Sequence, residues 1–200
     1  MRLILASASP RRAQILRDAG IPFMAAPANV EESRQPQEPP GEFVQRLAES
    51  KARFTAVRLR FEPSPVIIVG ADTEVVVDGA VLGKPVSAEA ARDMLRRLSG
   101  RTHAVITGLA VIRLPEGAAR IGHETTWVTL APLSEPEMGD YVASGEPLGK
   151  AGAYAIQGRA GRFVTRVEGC YFNVVGLPLA RLYSVLRDFG WPGGSGKTKP

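Results

Sequence analysis

The sequence predicts an α/β fold, and three observations carry that prediction. Leu3-Ile4-Leu5-Ala6 is a short apolar run that breaks at Ser7 and leads straight into a helix. Val66-Ile67-Ile68-Val69-Gly70-Ala71 is apolar without interruption, the pattern of a central strand covered on both faces. Segments with helical periodicity alternate with such runs along the 200 residues, as in helix-covered sheets. One domain is the default at this length, with room for two lobes.

The first helix starts at Ser9, a good N-cap, with Pro10 at the first helical position where its missing N–H costs nothing. Ile15 and Leu16 face the core, and Gly20 ends the helix. A strand that feeds a helix N-terminus presents free N–H groups and the positive dipole end, which together suit an anion. Arg11 and Arg12 stand in that first turn against the dipole, so they are either solvated or there to meet something strongly negative, such as phosphate.

A proline-rich irregular stretch, Pro27 to Pro40, carries the acidic pair Glu31-Glu32. The spacing then predicts a helix from about Glu42 to Arg60, with Val44, Leu47 and Ala48 inward. Lys51 is seven residues after Val44 and shares that face, so its ammonium either snorkels out or points into a wet cavity of negative charge. The central strand Val66–Ala71 ends at Asp72-Thr73, which places Asp72 at a strand's carboxyl end, where open α/β sheets bind ligands. A lone Asp there also suits a simple turn.

Asp78-Gly79 between Val75–Val77 and Val81-Leu82 predicts a hairpin, followed by Gly83-Lys84-Pro85. A helix from Ser87 sets Ala91, Met94, Leu95 and Leu98 on one face and stops at Ser99-Gly100. His103–Leu114 and His123–Leu130 read as an antiparallel pair of strands. Ser134 and Glu137 form a capping box for a helix ending near Gly145. The glycine-rich Gly149–Gly158 follows, then two short strands around Glu168-Gly169, one of them enclosing Cys170 as a small buried residue. The last helix, Pro178 to Phe189, packs Leu179, Leu182, Tyr183 and Leu186. The folded domain is expected over residues 1–190, with 191–200 a disordered polar tail. Gly196-Lys197-Thr198 in that tail is not a phosphate loop, because Trp191 stands where the first glycine belongs and no helix follows.

Composition narrows the function. No apolar run is long enough to span a bilayer, and the first strand begins at once without a secretion-signal pattern. A single cysteine excludes an internal disulfide, and with these features predicts a cytoplasmic protein. His103 and His123 lie far apart without cysteine partners, which argues against structural zinc. The net charge of +5 comes from dispersed arginines, and only 6% of residues are aromatic. That pattern suits an anionic small molecule, and no nucleic-acid or membrane partner is expected. Carboxylates at Glu31, Glu32 and Asp72, with cations at Arg12, Lys51 and Lys84, suit metal-assisted phosphoryl or nucleotidyl chemistry.

At these residues the chain resembles the Maf family of nucleoside triphosphate pyrophosphatases. Six blocks match in order: Leu5–Arg12, Val69–Thr73, Gly83–Pro85, Leu98–Gly100, Gly149–Gly158 and Val174–Pro178. The resemblance spans Leu3 to about Phe189. It implies a two-lobed, mixed and twisted sheet flanked by helices around a central cleft, like the inosine-triphosphate pyrophosphatases. It also implies metal-dependent hydrolysis between the α- and β-phosphates, with Mg²⁺ or Mn²⁺, and a homodimer. Carried onto this chain, Asp72 matches the proton acceptor and a metal ligand, and Glu32 the second metal-site acid. Ser7, Arg12, Lys51 and Lys84 match the phosphate-binding set. Arg11, Thr73 and Gln157 match the specificity positions, with the identities of the branch that acts on dTTP and UTP.

Two other functions remain open at this point: a 7-methyl-GTP pyrophosphatase of the same chemistry, and a non-catalytic nucleotide-binding regulator of septum formation. Retention of both Glu32 and Asp72 speaks against a pure anion binder, which would do better without them.

Overall fold

In the computed structural model, which describes residues 1–62 and 64–193, the local signals give the elements they predict. β1 (Arg2–Leu5) passes to α1 (Pro10–Asp18), whose first turn is closed by Ser9 Oγ accepting the Arg12 N–H at 3.5 Å. β2 (Met24–Ala25) is short, and α2 (Pro40–Arg58) buries Val44, Leu47, Ala48 and Lys51. β3 (Val66–Val77) turns into β4 (Ala80–Leu82) through Asp78 and Gly79, with φ of 50° and 72°. Two successive positive φ values are what a tight hairpin turn needs, and Asp-Gly supplies them at low cost. α3 (Ala88–Leu98) is capped by Ser87 Oγ, which accepts the Ala90 N–H at 3.1 Å.

β5 (Thr102–Leu114) and β6 (Ala118–Leu130) are neighbours joined by the Pro115-Glu116-Gly117 turn. α4 (Glu135–Ala143) carries the full capping box: Ser134 Oγ meets the Glu137 N–H, and Glu137 Oε2 accepts the Ser134 N–H at 2.8 Å. Short 3-10 turns follow at Ala151–Ala153 and Arg159–Phe163, then β7 (Val164–Glu168), α5 (Tyr171–Val175) and α6 (Leu179–Asp188).

The strands form one mixed sheet in the order β2-β1-β3-β5-β6-β7, with β4 on β3. β1 pairs parallel to β2 and to β3, whereas β3–β4 and β6–β7 are antiparallel. The chain divides into two compact units. The first holds Met1–Asp72, Thr107–His123 and the chain from Gly176 on. Ile4, Ile68, Ala48, Ala52, Ala110 and Ile112 close its core, with two alanines of α2 against strand residues. The second holds Thr73–Ile106 and Glu124–Val175. Its core includes Val75, Leu95, Leu98, Val128, Tyr141 and Phe163, with the last two rings edge-to-face at 5.7 Å.

Four expectations are corrected. Asp72 is not at a strand end: β3 continues through Asp72-Thr73-Glu74 to Val77 as one strand of 12 residues. β6 begins at Ala118 rather than His123. Cys170 lies outside any strand and is half-buried, because β7 ends at Glu168 and helix α5 replaces a second strand. Tyr183 is 46% exposed on α6, whose buried face is carried by Leu182 and Leu186. At the C-terminal end, Trp191 is buried and its backbone N–H donates to Leu186 O at 2.8 Å. The part of the expected tail from Gly194 on lies outside the described residues.

Candidate active site

The first unit gathers five of the residues singled out in the sequence: Ser7, Arg12, Glu32, Lys51 and Asp72. Asp72 is 7% exposed in the middle of β3, and Lys51 is 6% exposed on α2. The Lys51 Nζ donates to Asp72 Oδ1 at 2.6 Å and meets Glu32 Oε1 at 2.6 Å. The Lys51 ammonium therefore does not snorkel to water. It stands between two carboxylates, one buried and one, Glu32, 44% exposed on its loop.

Arg12 lies at the start of α1, with its guanidinium turned inward. Its Nε donates to Gly176 O at 2.7 Å and its terminal nitrogen to Ser7 Oγ at 3.1 Å. Ser7 Oγ also accepts the Ser9 N–H at 3.2 Å, so one hydroxyl ties the loop to the arginine. Burial pushes the Arg12 guanidinium below its ordinary value, Asp72 and Glu32 oppose that shift, and Arg11 adds to it. Burial likewise lowers Arg11. Two arginines, a lysine and two carboxylates thus share one electrostatic neighbourhood beside a helix N-terminus. The excess of positive charge at that terminus is the setting in which a polyphosphate is stabilised.

Close packing puts Lys51 where it is. Gly70 on β3 and Gly108 on β5 lie beneath α2, and a Cβ on either would come to 2.1 Å of Ala48 O or 2.0 Å of Val44 O. The helix backbone rests almost directly on the sheet, and the Lys51 side chain reaches Asp72 from there.

The loop that bears Glu32 is clasped to the same helix. Arg46 donates from Nε to Glu38 Oε1 at 2.6 Å and from a terminal nitrogen to Glu38 Oε2 at 2.7 Å. It also donates to Ser33 O at 2.9 Å, the residue after Glu32. Glu38 Oε2 accepts the Gln35 N–H at 3.1 Å, and Arg34 donates to Glu38 O. The Arg46 hydrogen bonds hold the Glu38 carboxyl below its usual range despite burial. Sequence reading does not single out Arg46 or Glu38. Their partnership joins a loop to a helix at no characteristic spacing, and the only available signal is an acidic residue and an arginine flanking a helix start. Glu31, the other member of the acidic pair, accepts from Ser33 Oγ at 2.7 Å and does not join the cluster around Lys51.

Lys84, Thr73 and Gln157 belong to the second unit. Lys84 and Gln157 are exposed, and Thr73 is half-buried on β3 directly after Asp72. Gly83 O accepts the Gly152 N–H at 3.1 Å, which joins the Lys84 segment to the glycine-rich stretch.

Asp72 and Glu32 offer a donor set suited to a hard divalent cation. Both are carboxylates, both already converge on one cationic centre, and Mg²⁺ commonly takes one or two carboxylates with phosphate oxygens and water completing the shell. Among the described residues no group of three or more His, Cys, Asp or Glu is arranged to hold a metal. No described helix is long and apolar enough to cross a membrane.

A family model described as Maf-like protein matches residues 2–189. The chain is 50% identical over 198 residues to the dTTP/UTP pyrophosphatase of Symbiobacterium thermophilum, covering 98% of this chain and 99% of that one. It is 49% identical over 189 residues to the dTTP/UTP pyrophosphatase of Moorella thermoacetica, covering 94% and 95%. Among solved structures it is similar to the Staphylococcus aureus Ham1 protein, with a TM-score of 0.51 at 14% identity over 94% of this chain and all of that one. At that identity the likeness concerns the fold.

Proposed function

The chain belongs to the Maf family, and on that footing we propose that it is a nucleoside triphosphate pyrophosphatase hydrolysing dTTP and UTP to the monophosphate and pyrophosphate. The observation that carries the reading is Lys51 held between Asp72 and Glu32 at 2.6 Å from each, in the same unit as the buried Arg12. A binder of anions gains nothing from two carboxylates at its anion site. An enzyme that hydrolyses a phosphoanhydride needs both signs of charge there.

The roles follow from the chemistry of each group. Asp72 accepts the proton of the attacking water, a carboxylate's part in general-base catalysis. Arg12, Lys51 and Lys84 neutralise phosphate charge as it moves onto the leaving pyrophosphate. Ser7 accepts a hydrogen bond from the Arg12 guanidinium and so holds it in place for the same role. Glu32 and Asp72 would hold Mg²⁺ or Mn²⁺, which would supply charge neutralisation for the phosphates.

Base preference rests on Gln157, Thr73 and Arg11. The Gln157 amide donates and accepts at once and so matches the carbonyl and N–H edge of thymine or uracil. Arg11 and Thr73 orient the nucleotide. A site that hydrogen-bonds one base edge rejects others because the mismatch leaves polar groups unpaired. The reading includes a cytoplasmic location, supported by the single unpaired cysteine.

Pyrophosphate release from a panel of nucleoside triphosphates with Mg²⁺ or Mn²⁺ tests it. dTTP and UTP are expected to be cleaved well, CTP less, and ATP, GTP and 7-methyl-GTP poorly. A higher kcat/KM for 7-methyl-GTP than for dTTP overturns the specificity. Binding without any release overturns the enzyme.

A further inference from the structure

Gln157 occupies the exposed middle of a segment whose two ends are tied to one pair of side chains, Tyr141 and Glu146. Tyr141, 1% exposed at the end of α4, donates its hydroxyl to Glu146 Oε1 at 2.8 Å and accepts the Ala155 N–H at 3.2 Å. Glu146 Oε2 accepts the Arg159 N–H at 3.0 Å, and the Ala160 N–H also turns to this carboxylate. Between the anchors, the Gly158 N–H returns to Ala155 O at 3.0 Å and closes a turn over Ile156 and Gln157. The carboxylate fits only because residue 158 has no side chain: a Cβ there would lie 2.4 Å from Glu146 Oε2. Gly158 has φ of −109°, which any residue adopts, so close approach rather than backbone conformation requires glycine.

Protonation states reinforce the arrangement. Burial pushes the Tyr141 phenol upward, so it remains a donor at neutral pH. Burial pushes Glu146 up as well, but hydrogen bonds from the Arg159 N–H, Tyr141 and the Ala160 N–H outweigh it and leave the carboxyl below its usual value. An ionised acceptor bonded to two successive backbone N–H groups is a stiff anchor.

We propose that Glu146, fixed by Tyr141, is the positioning residue for Gln157, and that this pair sets base preference by fixing where the Gln157 amide is presented. The inference rests on the reading of Gln157 as the residue that meets the base. Neither Tyr141 nor Glu146 needs to touch substrate. Both act through the backbone of 155–160.

The test compares kcat and KM for dTTP and CTP in Glu146→Gln, Tyr141→Phe, Gly158→Ala and Gln157→Ala, with Tm recorded for each. Glu146→Gln keeps the shape but replaces one acceptor with a donor, and Gly158→Ala pushes the carboxylate away from an otherwise intact loop. Misplacing a binding group by about 1 Å can cost roughly a hundredfold. The dTTP-over-CTP ratio of kcat/KM is therefore expected to fall at least about tenfold in both variants, through KM for dTTP rather than kcat. A purely structural role lowers Tm and leaves the ratio alone. If Gln157→Ala abolishes the preference while Glu146→Gln and Gly158→Ala keep it, the positioning role is overturned. If Gln157→Ala itself keeps it, the reading of Gln157 fails first and the proposal falls with it. Should Glu146→Gln not fold, Gly158→Ala and Tyr141→Phe decide the question by the same ratio.

Discussion

A β-carbon on Gly70 would lie 2.1 Å from the carbonyl oxygen of Ala48, closer than packed atoms approach. Gly70 precedes Asp72 by two residues on β3, and Ala48 precedes Lys51 by three on α2. The distance between helix and strand is thus set one turn away from the ion pair that depends on it. Gly108 repeats the device under Val44. A side chain at either position would lift the helix and draw the Lys51 ammonium away from the carboxylate.

Gly70→Ala is accordingly expected to reduce both stability and turnover, although it adds only one methyl group. Overpacking of this kind costs about 1–3 kcal/mol, enough to lower Tm by several degrees in a chain of this size. Displacement of Lys51 should reduce kcat/KM for dTTP by roughly tenfold to a hundredfold. A variant with wild-type kcat/KM would show that the Lys51–Asp72 distance is not what the close packing protects.

Asp72→Asn should abolish most turnover, by roughly a hundredfold to ten-thousandfold in kcat, since a positioned proton acceptor alone is worth that much. It should also lower Tm. Lys51 is 6% exposed, and among the described residues it would keep Glu32, whose side chain is 44% exposed, as its ion-pair partner. Removing one partner of a buried ion pair leaves a charge poorly compensated. Asp72→Asn and Lys51→Met together should restore part of the lost stability but none of the activity. Thermal unfolding of the single and double variants checks the first claim, and pyrophosphate release the second. A single variant with more than a tenth of wild-type kcat would remove Asp72 from the reaction.

Arg46→Ala should leave the fold intact while loosening the segment that carries Glu32. The arginine holds Glu38 through two bonds and Ser33 O through a third. Loss of the clasp is expected to raise the Mn²⁺ concentration for half-maximal binding, followed by the paramagnetic signal of free Mn²⁺, by about tenfold. Metal binding unchanged from wild type would mean that Glu32 is placed by its own contact with Lys51.

These residues also show how much could be read without the structure. Ser9, Ser87 and the Ser134–Glu137 box act over three residues, and the Asp78-Gly79 turn over two, so their consequences are written locally. The inward face of Lys51 follows from helical period alone, because residues seven apart share a face. Asp72 as the end of a strand did not hold. A polar triplet reads as a break, yet β3 continues through it because a buried polar residue is tolerated where it is satisfied, and Asp72 has Lys51. The Arg46–Glu38 clasp and the Tyr141–Glu146 anchor lie in neither a motif nor a period. Each joins a loop to a helix, and only the folded chain brings the partners together.

His103 supplies a prediction about pH that does not involve the reacting groups. It is 1% exposed on β5, its Nε2 is 2.8 Å from the Tyr154 hydroxyl, and its Nδ1 is buried with no hydrogen-bond partner among the described residues. Burial lowers its pKa from 6.5 to about 4, so the ring is neutral in the folded protein at pH 7. Between those values the unfolded chain takes up a proton that the folded chain refuses. Stability should therefore fall as pH drops below about 6.5 and stop falling on this account below about 4. The whole difference amounts to about 3 kcal/mol at roughly 1.4 kcal/mol for each tenfold change in proton activity. Well above pH 7, where the ring is neutral in both states, the group contributes no slope. Carboxylates titrate in the lower part of the same window, so the upper part, pH 6.5 to 5, is where His103 is read most cleanly. Denaturant unfolding of wild type and His103→Gln at pH 7, 6 and 5 measures it. The amide can still bond the Tyr154 hydroxyl but does not titrate, so its stability should decline less steeply over this interval. Parallel slopes for the two proteins would show that His103 gains its proton without unfolding.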